Sequence, residues 1–132
     1  MGIKRFGISL EEDLLKALDE LIKAHQFPNR SQAIRSLIRK NLVEEAWEKN
    51  KEVSGAVVLI YDHHRRDLVN KSLDIQHDFA PIILSTQHVH LDHDNCLEII
   101  ALKGKSENLK KLSDKLIALK GIKHGKLVMT AV

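Results

Sequence analysis

The chain has 132 residues, of which 43% are hydrophobic and 30% are charged, a composition typical of a folded protein rather than a disordered one. Aromatic residues make up only 4%, which argues against a sugar-binding surface or a base-stacking platform for single-stranded nucleic acid. The longest wholly apolar run, Ala56 to Tyr61, is far shorter than the roughly 20 residues of a membrane helix. With one cysteine and no signal-peptide pattern, the sequence predicts a cytoplasmic protein without a membrane partner.

The net charge of +3 permits a polyanionic partner without requiring one, but the charge is unevenly distributed. Residues 21–43 hold five lysines and arginines and no acidic residue, and acidic residues gather on both sides of them. A compact basic stretch of this kind is either a phosphate-facing surface or an ordinary solvated helix face, and charge alone favours the second.

The beginning of the chain has the pattern of one strand and two helices. Lys4 to Leu10 alternates apolar with other residues, which predicts a short strand with one buried face. Helical spacing follows until Pro28 and Asn29, and Ser31 is the predicted N-cap of a second helix. Because so small a piece cannot bury a core alone, we expect it to dimerise.

Residues 49–54 are polar and form a predicted linker, after which residues 55–132 have the order strand, helix, strand, strand, helix, strand. This order is typical of a ferredoxin-like βαββαβ domain, which packs both helices on one sheet face and leaves the other open for a partner chain. The helix from Arg65 to Phe79 is expected to bury its apolar residues, including Leu73. The predicted fold class is therefore α+β.

A predicted hairpin spans residues 82–103 around a cluster of turn-prone residues. If residue 90 pairs with residue 96, then His88, His90, Cys96 and Glu98 share one face of the hairpin. The opposite face then receives four apolar residues, Val89, Leu91, Leu97 and Ile99. Because apolar residues face the helices, we expect the His–Cys–Glu set to lie on the open face.

This set suggests metal binding, because two imidazoles and a thiolate are ligands suited to a borderline transition metal. A closed site usually needs a fourth ligand, and His77 points away from the apolar side of its own helix, so it can serve a neighbouring subunit. Glu98 is interpreted as a carboxylate that orients a ligand. His63 and His64 beside Asp62 are a candidate auxiliary metal site.

Catalytic interpretations have less support. A nucleophilic pair of Cys96 and His90 has no orienting acid or oxyanion donor motif beside it. The chain also lacks a glycine-rich phosphate loop, an HExxH motif and a nucleophile elbow. The sequence therefore predicts a protein that is not an enzyme.

The segment from Arg5 to Leu10 and the turn at residues 29–31 resemble a ribbon–helix–helix repressor. Together with His77, His88 to His90 and Asn95 to Glu98, they make the whole chain similar to nickel-responsive transcriptional regulators. The resemblance spans nearly all 132 residues, and the spacing of the four ligand positions is highly specific.

The resemblance implies a DNA-binding domain over residues 1–48 and an ACT-like nickel-binding and tetramerisation domain over residues 55–132. It also implies a homotetramer, built as a dimer of dimers, that holds one square-planar nickel(II) ion per chain at inter-subunit sites. The implied ligands are His88, His90 and Cys96 of one chain and His77 of another.

The same resemblance implies how the protein binds double-stranded DNA and what this binding does. Two N-terminal strands pair into an antiparallel ribbon that enters the major groove, and the start of the second helix holds a phosphate. The tetramer grips palindromic half-sites and represses nickel uptake when nickel is plentiful. The expected DNA-contacting residues are Arg5, Gly7, Ser9, Asn29, Arg30, Ser31 and Arg35.

Two positions depart from the family pattern. Gly7 stands where members commonly carry a hydroxyl residue, so one base-contacting side chain is missing. Gln32 and Ser36 stand where some members place acids that help to hold a second cation between the domains. We therefore do not expect these two side chains to hold that cation.

Three alternatives stay open at this point. A sensor of copper, cobalt or zinc could use the same ligand types. An amino-acid sensor would more naturally carry a glycine-bearing loop where Asp62 to Arg65 stands, and a small metalloenzyme would leave the segment from Arg5 to Ser9 unexplained. The sequence does not fix the physiological metal or the operator.

Overall fold

The computed structural model describes residues 2–132, which form two compact units, one ending at Asn41 and the other running from Leu42 to Val132. Helix α1 spans Glu12–His25, and helix α2 spans Arg30–Glu48, so α2 begins in the first unit and ends in the second. None of the helices in this part of the chain is both long and apolar enough to cross a membrane.

The predicted N-terminal strand is not formed in the single chain. Residues 2–11 have no strand pairing, and Phe6 and Ile8 are 76% and 61% exposed instead of buried. An extended segment completes its backbone hydrogen bonds only when another strand lies beside it, and residues 2–132 supply no such strand to this segment. The strand expected over Lys4 to Leu10 is therefore absent from the single protomer, and the ribbon expected from two copies stays a prediction.

The second helix begins earlier than predicted. Asn29, not Ser31, caps it, because the Oδ1 atom of Asn29 accepts a hydrogen bond from the backbone N–H of Gln32 at 2.9 Å. Ser31 lies inside the first turn of α2. Asn and Ser are about equally good N-caps, so the residue types alone did not distinguish the two positions.

The second unit is a four-stranded antiparallel sheet with two helices, and the predicted βαββαβ order is confirmed. The strands lie in the order β2-β3-β1-β4, which makes β2 and β4 the edges. The elements are β1 (Glu52–Tyr61), α3 (Arg66–Asp78), a short 3-10 helix (Ala80–Ile82), β2 (Ile83–Asp92), β3 (Asn95–Lys105), α4 (Ser106–Ile117) and β4 (Ile122–Thr130).

Both helices of this unit contribute to one core against one face of the sheet. Leu68 of α3 and Leu112 of α4 are fully buried in the same cluster as Leu59 of β1 and Ile100 of β3. Trp47, near the end of α2, joins this cluster and donates a hydrogen bond from Nε1 to the carbonyl oxygen of Thr130 at 2.8 Å. The end of α2 is thereby anchored to β4.

The buried side of α3 differs from the prediction at one residue. Leu73 is 55% exposed, whereas Leu68 and Ser72 are buried and Ile75 and Phe79 pack partly buried against the core. These four inward residues follow helical spacing, and Leu73 lies one residue, about 100° of rotation, away from Ser72. A small polar residue therefore occupies the inward position that hydrophobicity alone assigned to Leu73.

Candidate metal centre and nucleic-acid interface

The β2–β3 hairpin has the predicted register. His88 is paired with Glu98 and His90 with Cys96, so these four side chains lie on the same face of the hairpin. The chain reverses at His93 and Asp94, inside the predicted cluster of turn-prone residues.

The orientation of the hairpin in the sheet is the reverse of the prediction. Cys96 and Glu98 are 1% exposed and lie on the face that the helices cover. Val89 and Leu91, which were expected to face the helices, are 36% and 52% exposed.

The reason for the reversal is that both faces of β3 are largely apolar, so its own pattern does not choose between them. The pairing of β3 with β1 decides the orientation, because Tyr61 opposes Cys96 and Val57 opposes Ile100. All four of these residues are buried in the core beneath the helices.

His88 and His90 nonetheless remain accessible, because β2 is an edge strand. The Sγ atom of Cys96 lies 4.0 Å from Nδ1 of His88. For zinc, metal–sulfur and metal–nitrogen bonds are about 2.3 and 2.0 Å long, so one ion of similar size can reach both atoms. The hairpin thus offers a thiol and two imidazoles at the border between core and solvent, a donor set that fits a borderline divalent metal.

The environment keeps the Cys96 side chain in its thiol form. Burial raises the pKa of this thiol, and the nearby Glu98 carboxylate raises it further, while Tyr61 and the backbone of Val89 partly offset the shift. A metal ion that binds the sulfur must therefore displace a proton.

Glu98 connects three elements around the candidate ligands. Its Oε1 atom accepts a 2.7 Å hydrogen bond from the hydroxyl of Tyr61 on β1, and its Oε2 atom accepts a 3.2 Å hydrogen bond from Nε2 of Gln76 on α3. Nε2 of His88 lies 3.5 Å from the same Oε2. Burial and the Glu98 carboxylate raise the pKa of Tyr61 above its usual range, so the hydroxyl stays a donor.

His77 lies next to Gln76 on α3 but is exposed. Two groups of three or more potential ligand residues come together within residues 2–132, and neither includes His77 or the three hairpin ligands. The outward direction predicted for His77 is confirmed, and the single chain does not bring it to the hairpin. Leu73 lies one helical turn before His77 and is also exposed, so the two residues are neighbours on the surface of α3.

A second histidine cluster lies at the same end of the sheet. The rings of His63 and His64 are 4.1 Å apart, His63 stacks on His90 at 4.3 Å, and His64 lies 5.0 Å from His93. Burial and the neighbouring His64 and His90 lower the pKa of His63, while a hydrogen bond with Asp94 raises that of His93. The sequence suggested His63 and His64 but not His93, because only the fold brings the hairpin turn to the loop after β1.

The residues expected to contact bases are exposed. Arg5, Gly7 and Ser9 all lie in the extended N-terminal segment, and their side of the segment is open in the single chain. A Cβ atom built on Gly7 meets nothing within 4 Å, so a side chain at this position has room in the protomer.

The two arginines expected near phosphate have side-chain partners within the protomer. Arg30 makes a paired hydrogen bond with Asp19, both at 3.0 Å, and this contact lowers the pKa of the Asp19 carboxyl. Arg35 donates to Oε1 of Gln32 at 2.7 Å. The sequence does not predict the pairing of Arg30 with Asp19, because the two residues lie on different helices.

Two family models match the chain. The ribbon-helix-helix protein, copG family, matches residues 4–45, and the NikR C terminal nickel binding domain matches residues 54–130.

Curated relatives match along nearly the whole chain. A protein of Syntrophus aciditrophicus (strain SB), assigned as a nickel-responsive regulator, is 55% identical over 98% of this chain and 95% of its own. A protein of Thermococcus kodakarensis with the same assignment is 47% identical over the same shares of the two chains. Among solved structures, an uncharacterized protein from Thermotoga maritima matches 60% of this chain and 98% of its own with a TM-score of 0.54. At 18% identity, this last match supports the fold alone.

Proposed function

Because the chain belongs to the family of nickel-responsive transcriptional regulators, we propose that its nickel-loaded form binds operator DNA and represses nickel uptake. The family consists of regulators, and the chain is not an enzyme. The observation that carries the proposal is the hairpin register, which places two imidazoles and a thiol on one face while His77 points outward.

The proposed metal site is shared between chains and holds one nickel(II) ion per chain. His88, His90 and Cys96 come from one subunit, and His77 comes from another. This arrangement is supported by the 4.0 Å separation between the Cys96 sulfur and His88, and by the exposure of His77 on α3. A bound nickel ion supplies an electrophilic centre that holds the thiolate and the imidazoles together.

Glu98 is the proposed positioning residue of this site. It lies within 3.5 Å of His88 and accepts a hydrogen bond from Gln76, the residue before His77. The buried carboxylate of Glu98 thus contacts both His88 of the hairpin and α3, the helix that carries His77. Such carboxylates fix the orientation of a ligating imidazole.

The proposed assembly is a homotetramer made of two dimers. In the first unit, the exposed Phe6 and Ile8 become buried when two N-terminal segments pair into a ribbon. In the second unit, the sheet face away from the helices exposes Val89, Leu91 and Val128, an apolar surface suited to another copy of the chain.

In the proposed complex with DNA, residues 1–48 contact the operator and residues 55–132 bind nickel. The linker expected over residues 49–54 is limited to residues 49–51, because residues 52–54 belong to β1. Arg5 and Ser9 of the ribbon face base edges in the major groove, and Gly7 lies between them. Backbone amides from Asn29 to Ser31 at the start of α2 hold a phosphate. Arg30 and Arg35 lie at this end of α2 and supply positive charge there, although Arg30 pairs with Asp19 in the protomer.

With nickel bound, His77 of one chain and the hairpin of another would be held together, which would order the core of the tetramer and so link the two functions. The ordered core biases the paired DNA-binding domains toward the arrangement that grips two palindromic half-sites. The proposed location of this activity is the cytoplasm, where operator DNA and incoming nickel are both accessible.

Selection of DNA from a random double-stranded library tests this proposal with the full-length protein. We expect nickel-loaded protein to enrich a palindromic sequence and metal-free protein, or the Cys96→Ala variant with nickel, to enrich none. A reporter gene placed behind the enriched sequence should then lose expression when nickel is added. Equal enrichment with and without nickel contradicts the proposal.

A further inference from the structure

The short connection between α2 and β1, residues 49–51, is held by backbone hydrogen bonds at both of its ends. The backbone N–H of Lys51 donates to the carbonyl oxygen of Ala46 at 3.0 Å, which closes the end of α2. The carbonyl oxygen of Lys51 accepts a 3.1 Å hydrogen bond from the backbone N–H of Ser106, the first residue of α4. A segment that the sequence predicts as a linker is therefore tied to two helices.

Asn50 holds the centre of this segment. Its φ is 50°, in the left-handed region that asparagine tolerates better than most residues other than glycine. Its Oδ1 atom accepts a 3.0 Å hydrogen bond from the backbone N–H of Glu107, in the first turn of α4. Among residues 2–132, the side chain at the N-cap position of α4, Lys105, supplies no hydrogen bond to this turn. Asn50 thus does the work of an N-cap for a helix that lies far along the chain.

The same contact region includes buried groups. Ser106 is 0% exposed, and its hydroxyl donates a 2.7 Å hydrogen bond to the carbonyl oxygen of Trp47 in the last turn of α2. The Trp47 ring lies in the core of the second unit, and its Nε1 atom donates to the carbonyl oxygen of Thr130. Residues 46–51, Ser106 and Glu107 thus form one hydrogen-bonded joint that fastens the end of α2.

The joint lies at the opposite end of β3 from Cys96. Strand β3 begins at Asn95 and ends at Lys105, directly before Ser106. The step from residue 96 to residue 106 covers about 33 Å of extended strand. Because β3 pairs with β2 on one side and β1 on the other, one doubly paired strand connects the candidate metal ligand to the joint.

We propose that Asn50 locks this joint and so fixes the direction in which α2 leaves the second unit. Because α2 begins in the first unit, a locked joint passes a shift of β3 on to this helix, whereas a loose linker would absorb it. The inference rests on the proposed function, since it concerns how nickel at the second unit affects DNA binding by the first. Asn50 touches neither ligand and acts as a positioning residue.

Hydrogen exchange followed by mass spectrometry tests the lock in the full-length protein without DNA. Asn50→Ala removes the acceptor and disfavours the left-handed φ, so the backbone N–H groups of Ser106 and Glu107 should exchange about fivefold faster or more. Asn50→Gly, which permits the φ but has no acceptor, should behave in the same way. Asn50→Asp keeps an acceptor oxygen and should retain protection. Asn108→Ala, which removes an exposed amide from the same helix, is the matched control.

A second measurement separates a lock from a contact that only adds stability. The probe is the palindromic duplex selected by the nickel-loaded protein. The gain in DNA affinity caused by nickel should be about fivefold smaller in Asn50→Ala than in the wild type. Nickel affinity, measured by chelator competition, should not change, because the candidate ligands lie at the other end of β3. Asn50→Asp should restore the full gain.

Unchanged exchange at Ser106 and Glu107 in Asn50→Ala would overturn the proposal, and so would a full nickel response in a variant whose joint has opened. Circular dichroism checks that each variant is folded. If the wild type itself shows no nickel-dependent DNA binding, the proposed function fails. The exchange measurement alone then supports or overturns the lock.

Discussion

The two compact units differ in how much of their structure one chain can complete. Of the described residues up to Asn41, only Ala33 is buried, and α1 contains no buried residue. The second unit has a continuous core drawn from α2, both of its helices and the strands β1 and β3. The second unit therefore carries its own stability, while the first depends on a partner to cover its apolar residues.

Truncation of a core side chain in the second unit should have the strongest effect on stability. Leu116 is fully buried, so Leu116→Ala should lower the free energy of unfolding of this unit by about 2–5 kcal/mol. Urea unfolding followed by circular dichroism measures the change. Leu37→Ala, at a residue that is 48% exposed in the protomer, is the matched control. An equal loss at Leu37 in dilute, dissociated protein would break the distinction between the units.

A smaller effect is expected at the buried network around Glu98. Tyr61→Phe removes the 2.7 Å hydrogen bond and leaves Oε1 without that donor, which should cost about 1–3 kcal/mol of unfolding free energy. If Glu98 positions His88, the same variant should also weaken nickel binding, which competition with a chelator measures. Unchanged nickel affinity in a destabilised protein would limit the network to a structural role.

A comparable effect is expected at Arg5 of the N-terminal segment. Arg5→Ala should cost about 1–3 kcal/mol of discrimination between operator and unrelated DNA, since a bidentate base contact is lost. Nickel affinity should not change, because the metal ligands lie in the other unit. Fluorescence anisotropy with both kinds of DNA separates base reading from phosphate contact, for which the loss would be uniform across sequences.

The pH dependence of nickel binding follows from the raised pKa of Cys96. Below that pKa the thiol is protonated, so binding releases one proton and the affinity should fall by about tenfold for each unit that pH decreases. Chelator competition between about pH 6.5 and 8.5, a range that lies below the raised pKa of this thiol, measures the slope. A flat profile would show that the thiolate is not a ligand.

The smallest effect is expected at Gly7. A side chain has room there, so Gly7→Ser should change stability by no more than about 0.5 kcal/mol. The added hydroxyl lies between Arg5 and Ser9 and should change base preference at one operator position in each half-site. Thermal unfolding and DNA selection measure the two effects, and unchanged base preference would place this residue away from the bases.

The sequence predicted the architecture of the second unit because local patterns determine it. The turn-prone residues fix where the hairpin reverses. This position predicts that residue 90 pairs with residue 96, and the pairing is confirmed. The sequence does not predict which face of the hairpin packs against the helices. Both faces of β3 carry apolar residues: Cys96, Ile100 and Leu102 on one, and Leu97 and Ile99 on the other. The neighbouring strand makes that choice, and the pattern of β3 carries no information about its neighbour.

Contacts between distant segments were the other limit of prediction. His93 joins His64 only because the β1–α3 loop and the hairpin turn meet in the folded sheet. Asp19 pairs with Arg30 across two helices for a similar reason. The N-terminal strand is not formed in the single chain. Its alternating pattern predicts one buried face, and only a partner chain can cover that face.

Mixing two inactive variants shows whether each nickel site joins two chains. His77→Ala and Cys96→Ala should each abolish tight nickel binding. Co-expressed with different tags and purified as hybrid assemblies, they should recover thiolate charge-transfer absorption on nickel titration, because one chain supplies His77 and the other an intact hairpin. No recovery in assemblies shown to contain both chains would contradict the shared site.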